Sequence, residues 1–211
     1  MSVTLHTNLG DLKIEVFCEA VPKTAEVCHP PISLLSYQAL TPPKNFLALC
    51  AAGYYNGSPF HRIVTGFMAQ TGMPANAKDP KDKGTSIWGE SFEDEIRLPA
   101  LRHHARGIVS MANRGAPPAG SGLAGTNGSQ FFVTFARASH LDGVNTVFGR
   151  LLGEASFETL DKIEAVPVDK KYRPKDMKEP RDKSKDKGNE GDSSKVPRIE
   201  YVTIHANPVA K

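Results

Sequence analysis

The sequence predicts a mostly-β fold of barrel or sandwich type that carries two helices. Three observations predict it. Short apolar runs with period-two alternation recur along the chain. Gly, Pro, Asn and Asp separate most of them, as turns require. Only two stretches carry the three- and four-residue apolar spacing of a helix.

The elements follow in chain order. Val3, Leu5 and Thr7 alternate with other residues, Asn8-Leu9-Gly10-Asp11 supplies turn formers, and Leu12, Ile14 and Val16 alternate again. This is a hairpin with one buried face. A helix begins at Val21-Pro22, where proline suits the first turn. It cannot continue through Val27–Lys44, because that segment holds Pro30-Pro31 and Pro42-Pro43. Helical pattern resumes at Asn45-Phe46-Leu47-Ala48-Leu49-Cys50. With the 18 residues removed on paper, Ala25, Phe46, Leu47 and Cys50 fall at i, i+3, i+4 and i+7, one apolar stripe. Val27–Lys44 is therefore an insertion into a helix. A surface loop and a retained intron or gene-model error explain it equally well, since 18 codons preserve the frame.

Further strands are expected at Gly107–Met111, Gln130–Thr134, Thr146–Leu152 and Ile199–Ala206. The second helix is expected over Ser156–Val166, with Phe157, Leu160 and Ile163 on one face, Ser156 as N-cap and Pro167 as the stop. Asp169–Arg198 is poor in apolar residues and forms a charged, flexible excursion before the last strand. The whole chain, 1–211, is one domain, with insertions at 27–44 and 114–125 and the excursion at 169–198.

Composition narrows the function. Hydrophobic residues make up 39% of 211, enough for a core at this length. No apolar run nears the roughly 20 residues of a membrane span. The start lacks the basic and apolar regions of a signal peptide, so the expected location is cytoplasmic or nuclear. Cys18, Cys28 and Cys50 have neither metal-ligand nor disulfide-framework spacing, and reduced thiols are expected. The net charge of +3 comes from 169–198, where 11 basic residues face 7 acidic ones. That is a solvated run rather than a phosphate-binding face, so no direct nucleic-acid contact is expected.

No P-loop, dinucleotide fingerprint or nucleophile elbow is present. The adjacent His103-His104 is a turn feature, and residue order alone supports no Ser, His and Asp triad. Three constellations remain: Phe60–Gly72; Ser110-Met111-Ala112-Asn113 with Thr126–Phe132; and His140-Leu141-Asp142-Gly143 leading to Val147-Phe148-Gly149. Alternation places Met68 and Gln70 on one face and Phe67 on the other, unless a bulge after Gly66 re-aims it. Taken singly, Phe and Met in strands are ordinary core, an Arg beside aromatics is a packed arginine, and Asn or Gln near Gly forms turns.

Taken together, the three blocks resemble the cyclophilins, especially the short cyclophilin-like type 3 branch associated with spliceosomes. Ser2–Thr7, Ser86-Ile87-Trp88-Gly89, Phe92-Glu93-Asp94-Glu95 and Thr203–Pro208 match that branch too. The resemblance implies a closed eight-stranded antiparallel β-barrel capped by two α-helices. It also implies peptidyl-prolyl cis-trans isomerase activity on proline-containing polypeptides, assistance to protein folding, and no cofactor or metal. Spliceosomal proteins are the partners the branch implies, for a chain expected to act as a monomer away from membranes.

Rotation about a peptide bond faces a barrier of roughly 18–20 kcal/mol, because nitrogen shares its lone pair with the carbonyl. A cation that hydrogen-bonds the prolyl nitrogen withdraws that pair. By resemblance Arg62 does this and is the catalytic residue. The resemblance also implies that Phe67, Met68, Phe132 and Leu141 form a socket for the proline ring. Gln70 and Asn113 hold the substrate backbone, Asn113 through its main chain. Ala112 leaves room for the preceding residue, Gln130 lines the same groove, and His61 stands beside Arg62.

Three features depart from the family pattern. His140 replaces a common groove tryptophan, which weakens cyclosporin binding. Asn145 replaces a histidine or tyrosine at the groove edge. Arg114–Gly125 is longer than the usual connection and has the Gly, Ala and Pro content of a mobile loop. A second functional reading therefore stands beside catalysis: a module that binds proline segments within a spliceosomal assembly, with little turnover.

Overall fold

The computed structural model describes residues 1–18, 20, 45–75, 84–117, 119–121, 125–177 and 195–205. Eight strands and two helices occupy them. They are β1 (Ser2–Thr7), β2 (Gly10–Val16), α1 (Asn45–Ala51), β3 (Arg62–Val64), β4 (Met68–Thr71), β5 (Ile108–Met111), β6 (Phe131–Thr134), a short 3-10 turn (Ser139–Leu141), β7 (Val147–Leu151), α2 (Glu154–Glu164) and β8 (Ile199–His205). Every expected strand is present, with ends within one or two residues of the pattern.

The strands form one antiparallel sheet in the order β3-β4-β6-β5-β7-β2-β1-β8, curled into a barrel. Closure is less complete than a continuous barrel requires. Between β3 and β8 the described residues make one bridge, Pro59 to Arg198, with Phe60 N–H donating to Pro197 O at 2.8 Å beside it. The reason lies in β3 itself. It is three residues long, and the Ile63 N–H donates outward to Tyr172 O (2.8 Å). That bond also corrects the boundary of the charged excursion. Asp169 accepts from the N–H groups of Lys171 and Arg173, Val168 bridges Pro174, and the turn so made covers the edge of β3. The excursion proper, 178–194, lies outside the described residues, as do Cys28 and Val27–Lys44 with the start of its helix.

The inner face is apolar: Val3, Leu5, Leu12, Ile14, Ile63, Ala69, Val109, Val133 and Phe148 are fully buried. At one mouth α1 inserts Phe46 among Tyr55, Phe131 and Phe148, with ring centroids 4.9–5.7 Å apart. The Phe46–Phe131 pair is edge-to-face at 83°, and a contact of that kind adds about 0.5–1.5 kcal/mol beyond area burial. Phe46, Leu47 and Cys50, three members of the expected stripe, all face the core. At the other end α2 buries Leu160 and Ile163. It starts two residues earlier than its pattern suggests, because Gly153, with φ 77°, takes the N-cap position. Ser156 therefore lies inside the helix, where its Oγ donates to Leu152 O and accepts from Lys13 N–H, binding the helix to β2.

Candidate active site

Strand register assembles the site. Arg62 lies opposite Gln70, Gln70 opposite Phe132, and Phe132 opposite Ser110. Directly opposed residues share a face, so these four form one row across β3, β4, β6 and β5 on the outer surface. The neighbouring row, Ile63, Ala69, Val133 and Val109, is the buried inner face. The same alternation that fills the core thus aims Arg62 and Gln70 outward. Met68 shares the outer face with Gln70, as its alternation requires. Phe67 does not take the opposite face. It belongs to the turn before β4, where its N–H donates to Val64 O (2.9 Å), and strand alternation does not govern it.

A groove of about 190 Å³ opens on this row, lined by Arg62, Phe67, Met68, Gln70, Ala112, Asn113, Phe132, Leu141 and Asn145. A hollow of about 340 Å³ adjoins it, sharing Gln70, Ala112 and Asn113 and adding His61, Gln130 and Arg114. His140 stands at the rim with its ring 5.3 Å from that of Phe67. All twelve residues selected from the sequence are therefore in or beside two connected hollows. Arg114 and Thr126, at the two ends of the long connection, are tied together: Thr126 Oγ1 accepts from Arg114 N–H and donates to Gly115 O.

The polar groups differ in how they are held. The Arg62 side chain is exposed and makes no hydrogen bond or ion pair with any described residue, so its guanidinium is available to a ligand. Gln70 Nε2 donates to Gln130 Oε1 (2.7 Å). The Asn113 side chain is committed: Nδ2 donates to both Asp94 oxygens (3.1 and 3.0 Å) and to Val144 O (2.8 Å), and Oδ1 accepts from Gly115 N–H. Only the main chain of Asn113 is left to face the groove. Asn145 Nδ2 donates to Met111 O and so braces the rim. His61 is half-buried, and its Nδ1 has no hydrogen-bond partner among the described residues. Burial, helped by the adjacent Arg62 charge and opposed by contacts to Pro59 and Gln130, holds the ring's pKa down to about 4.

Behind the groove runs a chain of polar contacts that the sequence did not disclose. Asp142 Oδ1 accepts from His103 N–H (2.8 Å) and lies 3.0 Å from His103 Nδ1. His103 Nε2 is 3.0 Å from Ser110 Oγ, which donates to Thr146 O (2.9 Å). Thr146 Oγ1 donates to Asp94 Oδ1 (3.0 Å), and Asp94 holds Asn113. His103 is thus fully buried in this network rather than a turn feature. The Asp142, His103 and Ser110 atoms have the order of a nucleophilic triad. Ser110 is nevertheless fully buried beside Phe132, so no substrate atom reaches it. Burial lowers the His103 pKa against the opposing pull of Asp142. One sequence signal was available: Ser110 is a polar residue in the apolar run Ile108-Val109-Ser110-Met111, on the same strand face as the groove.

Comparison with known proteins bears directly on this geometry. The family model for cyclophilin type peptidyl-prolyl cis-trans isomerase/CLD matches residues 32–179. The chain belongs to the cyclophilin family. This cyclophilin is 53% identical over its full length to "Peptidyl-prolyl cis-trans isomerase-like 3" of Neurospora crassa, and 45% identical to the Homo sapiens protein of the same name; each match covers 100% of both chains. Among solved structures it is similar to a Cryptosporidium parvum cyclophilin type peptidyl-prolyl cis-trans isomerase, with a TM-score of 0.69 and 36% identity over 98% of each chain. A second crystal structure of that parasite cyclophilin, in the presence of the dipeptide Ala-Pro, matches with a TM-score of 0.68. The cyclophilin described here is therefore a peptidyl-prolyl cis-trans isomerase by family.

Proposed function

We propose that the groove binds an extended polypeptide with a proline ring seated against Phe67, Met68, Phe132 and Leu141, and that Arg62 catalyses rotation about the preceding bond. The observation that carries this reading is the outward row Arg62–Gln70–Phe132. It sets a permanent cation, an amide and an apolar wall side by side across three neighbouring strands. Arg62 donates to the prolyl nitrogen, which removes the lone pair from amide resonance as the bond twists. The twisted state gains this bond and the planar state does not, which is the condition for lowering a barrier. Gln70 and the main chain of Asn113 hold the flanking backbone. Ala112 admits the preceding side chain, and Gln130 and His61 line the adjoining hollow. The rim residues His140 and Asn145 close the groove less tightly than large aromatics would, so we also infer weak cyclosporin binding.

Titrating the labelled protein with an Ala-Pro tetrapeptide and following amide shifts tests the placement. Shifts centred on Arg62, Gln70, Asn113 and Phe132 support it. Shifts centred elsewhere, with these four still, overturn it. From the resemblance of the sequence blocks to the spliceosome-associated branch we further infer spliceosomal proteins as clients and a nuclear or cytoplasmic location. Capture of those proteins from nuclear extract supports this, and their absence from the captured set argues against it.

A further inference from the structure

We propose that His103 is a positioning residue of the isomerase site, setting the Phe132 ring and the Leu141–Asp142 turn through one buried imidazole. The inference rests on the reading of the groove as a proline site, in which Phe132 and Leu141 are two of the walls. Neither wall is held by packing alone. The His103 ring lies nearly parallel to Phe132, at 14° with centroids 6.0 Å apart, within the range of an offset stack. Its rotation is fixed from both sides, by Asp142 at Nδ1 and by Ser110 at Nε2. Asp142 follows Leu141 directly and also takes the His103 N–H, while His103 O accepts from Ala138 N–H (2.8 Å) at the other end of the same turn. One residue therefore touches the face of one wall and pins both ends of the turn that supplies the other.

The placement is economical in a second way. Ser110 is the fourth member of the outward row and Phe132's cross-strand neighbour, so the group that orients His103 is itself locked to the sheet. Through Thr146 and Asp94 the same chain reaches the Asn113 side chain. A buried polar chain of this length is costly unless every link is satisfied. Every link from Asp142 to Asp94 lies within hydrogen-bond distance; with the ring neutral and Nδ1–H donating to Asp142, the single Ser110 proton is shared between His103 Nε2 and Thr146 O. Loss of the imidazole frees Phe132 to take another rotamer and releases the turn. Displacements of that size at a reacting centre lower the rate far more than they lower binding.

His103→Asn keeps a donor for Asp142 and removes both the ring face and the Ser110 contact. We expect exchange of a saturating Ala-Pro tetrapeptide, read by NMR exchange spectroscopy, to fall about tenfold or more, while peptide Kd rises less than about threefold. The Phe132 ring resonances should move. Asp142→Asn keeps the ring and changes only its clamp, and should give an intermediate loss. A His103→Asn protein whose saturating exchange stays within about twofold of wild type overturns the proposal, and so does a loss confined to Kd. If His103→Asn fails to fold, Asp142→Asn decides, and unchanged exchange with unchanged Phe132 resonances overturns it. If wild type itself neither binds nor accelerates the peptide, the proline-site reading has failed. The positioning claim is then judged on the Phe132 resonances alone, and their constancy in the variants overturns it.

Discussion

Asp94 offers a test of how the groove is held from behind. Its Oδ1 accepts from Asn113 Nδ2, Asn127 Nδ2 and Thr146 Oγ1, at 3.1, 3.0 and 3.0 Å, and its Oδ2 accepts from Asn113 Nδ2 at 3.0 Å. Three segments that border the groove therefore meet on one carboxylate. Asp94→Ala strands the Thr146 hydroxyl, which is fully buried and has no other acceptor among the described residues. A stranded donor costs about 1–3 kcal/mol. The two amides keep second acceptors, Val144 O and Phe92 O, so each loses about 1 kcal/mol. The expected loss of unfolding free energy is about 3–5 kcal/mol by urea titration. Asp94→Asn can keep the three bonds to Oδ1 and should lose about 1 kcal/mol. Activity should follow the Asn113 main chain. With its side chain unmoored, kcat/KM in a coupled isomerisation assay should fall about tenfold for the alanine variant. An alanine variant within about 1 kcal/mol and twofold of wild type would refute the reasoning.

Three further outcomes are expected. Gly72 has φ +88°, and a Cβ there would stand 2.6 Å from Ser129 O and 3.0 Å from Gln130 Cα. Gly72→Ala should therefore cost about 3 kcal/mol from left-handed strain plus overlap, seen as a lower urea midpoint, and should displace Gln130. Glu164 accepts from Gly66 N–H (2.8 Å) and from Arg106 (2.6 Å), and so ties α2 to the turn carrying Phe67. Glu164→Ala should raise KM about threefold and Glu164→Gln, which keeps the Gly66 bond, should restore it. His61 has its pKa lowered from 6.5 to about 4, so between those values the unfolded chain binds a proton that the folded chain refuses. Stability should fall as pH drops from about 6.5 to about 4, by about 2–3 kcal/mol in wild type and by clearly less in His61→Gln.

Much of the fold was legible because period-two alternation and turn residues are local signals. Val3, Leu5, Leu12 and Ile14 announce their own buried face. The groove residues were legible for a different reason: their spacing resembles a known family. Two kinds of feature were not legible. The incomplete closure depends on Tyr172 taking the Ile63 N–H, a contact between residues far apart in sequence. The polar chain behind Phe132 likewise joins Asp142, His103, Ser110 and Asp94 from four separate segments, and no local pattern links them. Phe67 shows the limit of alternation, since a strand rule was applied to a turn residue. Ser156 shows the limit of capping rules, since a glycine took the cap and the serine found a partner inside the helix.

The central claim is that Arg62 lowers the rotation barrier rather than merely holding the chain. It is tested most directly by the exchange rate of a saturating Ala-Pro tetrapeptide on wild type and on Arg62→Ala. A preorganised donor to developing charge is worth about 10²–10³ in rate, so the variant should lose about 100-fold in exchange while keeping the groove's fold. An Arg62→Ala protein that binds the peptide and exchanges it at the wild-type rate would contradict the account.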